Sequence, residues 1–76
     1  MKKVEVLGMG CPKCQATLKN VEEALQRLGI EAEVTKVEDL TEITSRGVIV
    51  TPALVIDGEI KVSGRVPNVI EIGALL

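Results

Sequence analysis

From Lys3 to Leu7 apolar and polar residues alternate, and the apolar ones include Val4 and Val6. A period of two with β-branched residues predicts a strand with one face turned inward. Gly8-Met9-Gly10 interrupts it. From Pro12 to Leu28 the period changes. Cys14, Leu18, Val21, Leu25 and Leu28 recur at steps of four and three, which predicts a helix with one apolar stripe. Pro12 suits the first helical position, where no amide donor is missed. Gly29 suits the left-handed residue that ends a helix.

Alternation returns from Ile30 to Val37, with Ile30, Ala32 and Val34 on one face of a second strand. Glu38-Asp39 then opens a short helix carrying Leu40 and Ile43, and Gly47 closes it. Ala53 to Ile56 is a continuous apolar run, the pattern of a central strand buried on both faces. Asp57-Gly58 is a hairpin signal, so Glu59 to Ser63 is read as its antiparallel partner. Asn68 with Glu71 forms a capping-box pattern before a last helix carrying Val69, Ile70, Ile72 and Leu75. Gly73 weakens that helix by roughly 1 kcal/mol relative to Ala. The predicted order is β-α-β-α-β-β-α. Its opening strand, helix and strand imply a parallel pair with a right-handed crossover. The fold class expected is α/β, a mixed four-stranded sheet with helices on both faces.

Composition narrows the picture. With 76 residues and no repeat or linker, a single domain over residues 1–76 is expected. There is no Phe, Tyr or Trp, so Leu, Ile, Val and Ala must build the core. A net charge of -2 offers no basic field for nucleic acid or an anionic membrane. The apolar runs are too short to span a bilayer, and Met1-Lys2-Lys3 leads into alternation rather than a leader segment. A cytoplasmic location is the expectation. There a permanent structural disulfide is disfavoured, and a Cys-x-x-Cys pair points to redox chemistry or metal binding.

Both cysteines, Cys11 and Cys14, lie in Gly8-Met9-Gly10-Cys11-Pro12-Lys13-Cys14. Cys11 falls at the predicted N-cap, where unpaired backbone N–H groups and the helix dipole stabilise a thiolate. Lys13 adds a nearby positive charge. Cys14 lies on the apolar stripe and is expected to face inward. Two sulfurs one helical turn apart can form a reversible disulfide, the outer one attacking and the inner one resolving. The spacing also permits other readings. Two buried cysteines can act as small hydrophobes, and two thiolates can hold a soft cation such as Cu(I). A zinc site within one chain lacks ligands, since there is no His and no third Cys, although a zinc shared between two copies stays open.

Gly8-Met9-Gly10-Cys11-Pro12-Lys13-Cys14 resembles the loop of heavy-metal-associated domains, and this covers the first strand and helix. That resemblance implies a Cu(I) carrier. A second resemblance covers the whole chain. Gly47 to Gly58, with Thr51-Pro52 before the apolar run, resembles the segment through which thioredoxins and glutaredoxins enter their third core strand. Gly64-Arg65 falls where glutaredoxins turn into their last helix. A helix between the second strand and this segment fits the thioredoxin-like, glutaredoxin-type order and not the metal-carrier order. The chain is most similar to small glutaredoxin-sized, redox-active disulfide proteins of archaea and bacteria.

The second resemblance implies a thiol–disulfide oxidoreductase, with Cys11 attacking and Cys14 resolving. Pro52 would be a cis-proline packed against the disulfide, and the backbone of Thr51 would pair with a bound substrate segment. Gly10, Pro12 and Lys13 would shape the loop. It implies no cofactor beyond the Cys11–Cys14 disulfide, with protein disulfides and an unidentified reductase as partners and a monomeric state. The glutathione site of glutaredoxins uses a Thr-Val-Pro and a Gly-Gly-x-Asp turn. Here Thr51 adjoins Pro52 and Gly64-Arg65-Val66-Pro67 lacks the Asp, so glutathione is not the expected partner. Thioredoxins also bury an Asp near the resolving cysteine. Glu5 is the candidate for that role, against its plainer reading as a solvated strand carboxylate.

Overall fold

The structure is a computed structural model that describes residues 2–8, 12–48 and 50–76. Its elements are β1 (Lys2–Leu7), α1 (Pro12–Leu28), β2 (Ala32–Val37), α2 (Leu40–Ser45), β3 (Ala53–Ile56), β4 (Glu59–Ser63) and α3 (Val69–Leu75). The strands form one four-stranded sheet in the order β2-β1-β3-β4. β1 runs parallel to β2, and β3 runs antiparallel to both β1 and β4. The expected order and mixed sheet are therefore what the chain adopts.

Alternation along the strands splits the core in two. Val4, Val6, Leu54, Ile56 and Val62 face Val21, Ala24 and Leu25 of α1 and Ile72 of α3. Leu7, Val37, Ala53 and Val55 face the other way, towards Ile43 of α2 and Val48. β3 feeds both clusters, which explains why all its residues are apolar and buried. The helices cover both faces of the sheet, and no aromatic ring is needed to fill the space.

Local chemistry sets the ends. Asp39 caps α2 by accepting from the N–H groups of Thr41 at 2.8 Å and Glu42 at 3.2 Å. Asn68 caps α3 by accepting from Glu71 N–H at 2.7 Å. The Glu71 carboxylate takes the Arg65 guanidinium as its main partner and the Asn68 backbone N–H as a lesser one, so the capping box gains a cation. At the hairpin Asp57 and Gly58 both have positive φ, 51° and 84°. This is the backbone a tight two-residue turn demands, which Gly adopts freely and Asp tolerates better than most residues. Asp57 also accepts from Lys3 N–H at 3.0 Å, which ties the turn back to β1.

Several expectations need correction. The second strand begins at Ala32 rather than Ile30, whose N–H closes the end of α1 on Leu25 O at 3.0 Å. Leu28 falls on the apolar stripe of α1 yet is 53% exposed, and Ile70 of α3 is 81% exposed. Thr17 and Ala24 lie on the buried side of α1 in addition to Val21 and Leu25. Thr17 can do so because its hydroxyl donates to Lys13 O at 2.9 Å, leaving no bare polar group inside. No helix among the described residues is long and apolar enough to cross a membrane.

Two outcomes follow for stability. Leu54 is fully buried at the centre of the larger cluster, so Leu54→Ala is expected to cost about 2–5 kcal/mol by urea denaturation. Acid is expected to weaken the fold. Asp57 is held below the usual carboxylate range, chiefly by the Lys3 N–H and then by Lys2, while Lys61 does the same for Glu59 and Arg65 for Glu71. Unfolded carboxyl groups titrate near about 4. The stabilisation is therefore complete above that pH and is lost as pH falls through the lower folded values. Asp57→Asn keeps an acceptor for Lys3 N–H but no charge, so its denaturation midpoint should fall less steeply between about pH 5 and about pH 2.

Candidate functional site

The site lies where β1 ends and β3 begins. These strands are antiparallel, and Leu7 is the Cα partner of Ala53. The next residue along β1 is Gly8 and the residue before β3 is Pro52, so the register carries Gly8 to the Thr51-Pro52 segment. On its other side Gly8 N–H donates to Val37 O at 2.9 Å, which extends the pairing of β1 with β2. The start of α1 then returns over this corner. A Cβ placed on Gly8 would collide with Cys14 Sγ and would lie 3.0 Å from Cys14 Cβ and 3.9 Å from Thr51 Cβ. The Cys14 sulfur therefore packs directly on the Gly8 backbone, with Thr51 alongside.

Cys14 is 5% exposed and belongs to the core, as its place on the α1 stripe predicts. Pro12 and Lys13 precede it on the exposed side of the first helical turn. The Thr51–Pro52 peptide bond is cis, and Pro52 is fully buried while Thr51 is half-buried. β4 supports this segment from behind. Gly64 N–H donates to Pro52 O at 2.9 Å, and the Ser63 hydroxyl donates to Val50 O at 3.1 Å. Cys11 and Gly10, assigned to the site from the sequence, lie outside the described residues. Gly8 was read from sequence as part of a strand break and of the loop that carries the cysteines, with no role of its own in the site. The signal that it belongs to the site is its position just past a paired strand end, facing the proline segment.

Glu5 is not a solvated carboxylate. Its side chain is 19% exposed, and Arg46 Nη2 meets Glu5 Oε2 at 2.6 Å. Arg46 also reaches Glu42 Oε1 at 3.2 Å. The Glu5 hydrogen bond is the main cause of a raised Arg46 pKa. Alternation places Glu5 on the Leu7 face of β1, where α2 packs, whereas Val4 and Val6 face α1. Its partner comes from α2, which ties that helix to β1. Among the described residues no cluster of His, Cys, Asp or Glu side chains could hold a metal ion.

Comparison with known proteins accords with this arrangement. Residues 2–76 match the family described as "Thioredoxin domain". A protein named "Thioredoxin" from Methanothermobacter thermautotrophicus is 41% identical over 76 residues, covering 100% of this chain and 99% of that protein. Another protein named "Thioredoxin", from Methanocaldococcus jannaschii, is 45% identical over 69 residues, covering 91% of this chain and 79% of that one. The fold is thioredoxin-like, and the site occupies the corner where a helix start meets a proline segment. The chain belongs to the thioredoxin family.

The ion pair yields a prediction. Arg46→Ala would leave the Glu5 carboxylate half-buried without its cation, and is expected to cost about 1 kcal/mol, the scale of a partly exposed pair. Glu5→Gln should remove most of that penalty, so the double variant should be more stable than the sum of the two single losses. Urea midpoints for the four proteins of this cycle measure it.

Proposed function

We propose that the protein is a thiol–disulfide oxidoreductase that reduces or exchanges protein disulfides through Cys11 and Cys14. The observation that carries this reading is the packing of Cys14 Sγ on Gly8 beside Thr51, at the start of α1 and across the β1–β3 register. The names of the relatives, both "Thioredoxin", support the same class.

The chemistry runs in two exchanges. Cys11 attacks one sulfur of a substrate disulfide as a thiolate, forms a mixed disulfide and releases the other substrate sulfur as a thiolate. Cys14 then loses its proton and attacks the Cys11 sulfur. The Cys11–Cys14 disulfide forms, and the substrate leaves reduced by two electrons. A reductase or dithiol supplies two electrons to restore the thiols. Pro12, Lys13 and Gly10 shape the attacking loop, while Thr51 and Pro52 flank the exchange and meet the substrate backbone. No further cofactor is needed. The protein acts as a monomeric electron carrier in the cytoplasm and contributes to cell redox homeostasis.

Reduction of insulin disulfides in the presence of dithiothreitol tests this. The wild type should accelerate it, and Cys11→Ser should abolish the acceleration. Cys14→Ser should accumulate a mixed disulfide with its target. Iodoacetamide should label Cys11 before Cys14 at neutral pH. The couple should equilibrate between about −270 and about −200 mV. A wild type that gives no acceleration, or that fails to lose two hydrogens under mild oxidation, would refute the proposal.

A further inference from the structure

Gly8 is a glycine for a reason that backbone conformation does not supply. Gly29, Gly47, Gly58 and Gly64 have positive φ, but Gly8 does not, so its φ lies outside the left-handed region that favours glycine. What excludes a side chain there is Cys14. A Cβ on Gly8 would occupy the place of the Cys14 sulfur and would lie 3.0 Å from Cys14 Cβ.

The strand cannot yield to relieve such a clash. Gly8 N–H is held by Val37 O at 2.9 Å, and the preceding residue, Leu7, is paired with Val37 on one side and Ala53 on the other. Leu7 is itself fully buried against the second cluster. α1 is equally fixed, since Thr17, Val21 and Ala24 are buried along its inner face. The clash would therefore fall on the Cys14 side chain, which can change rotamer about its Cα–Cβ bond.

We propose that Gly8 is the positioning residue for the Cys14 sulfur. The missing side chain forms a seat that holds the thiol inward beside Thr51 and shields it from outside thiols, disulfides and alkylating agents. The role of Cys14 as resolving sulfur rests on the function proposed above, but the seat itself does not. A small side chain at Gly8 should expel the sulfur, so that Cys14 becomes an accessible thiol and the inward–outward asymmetry of the pair is lost.

Iodoacetamide alkylation of Cys14 in a Cys11→Ser background tests the seat, with and without Gly8→Ala, across a pH series. The folded Gly8→Ala protein should react about tenfold faster or more, and the two proteins should react alike in denaturant. A double-mutant cycle guards against a fold too weak to read. Gly8→Ala should lower the urea midpoint in the wild type, and Cys14→Ala should remove most of that loss by taking the sulfur away. Equal alkylation rates in the two folded proteins, or an undiminished stability loss in the Cys14→Ala background, would overturn the proposal. Insulin reduction by the wild type is read separately. Its absence would end the redox reading, while the alkylation ratio would still decide the seat.

Discussion

The pairing of Leu7 with Ala53 in antiparallel register is the constraint on which the rest of the molecule depends. Side chains on a strand alternate, so a slip of one residue would exchange the two faces of the sheet. Leu54 and Ile56 would leave the α1 side for the α2 side, and Val4 and Val6 would lose the partners they now meet. The same slip would move Gly8 away from Thr51 and Pro52. Core and site are thus set by one alignment. The ends of the two strands meet because β3 is buried on both sides and β1 turns Val4 and Val6 to one cluster and Leu7 to the other, so that their apolar side chains fit in a single register.

Around that alignment the two faces are treated unequally. α1 and α3 cover one side with a broad aliphatic cluster, while the short α2 covers the other with Ile43 and the Arg46 ion pair to Glu5. A helix of six residues has little apolar surface to offer. A charge-assisted contact to β1 supplements it, and Asp39 secures its first turn. The absence of aromatic side chains is met by β-branched and leucine packing from both layers.

The order of elements was legible because each carried a period or a terminator of its own. The stripe from Cys14 to Leu25, the apolar run from Ala53 to Ile56 and the Asp57-Gly58 turn are local signals, and each gave its element without knowledge of the others. Leu28 falls on the apolar stripe of α1 yet is exposed, because periodicity assigns a direction and not a neighbour. The partner of Glu5 lay hidden because Arg46 is distant in the chain and reaches it only once α2 has docked. The steric role of Gly8 could not be read for the same reason. A glycine before a Cys-x-x-Cys looks like a loop breaker until the strand register shows what stands over it.

The hairpin of β3 and β4 has a consequence for how copies of the protein meet. The pairing shifts between Leu54 and Val55, so that Leu54 opposes Val62 while Val55 opposes Ile60, and Lys61 stands outside the ladder. β4 is an open edge of the sheet, and its neighbour β3 is the most apolar strand in the chain. An unbroken edge there would offer a template for another chain to extend. The irregularity twists the edge, and Lys61 with Glu59 places charge along it. On the far edge β2 carries Glu33 and Lys36 among its apolar residues. Charge stands on both borders of the sheet, and charge and an irregular edge disfavour the pairing of one sheet with another strand.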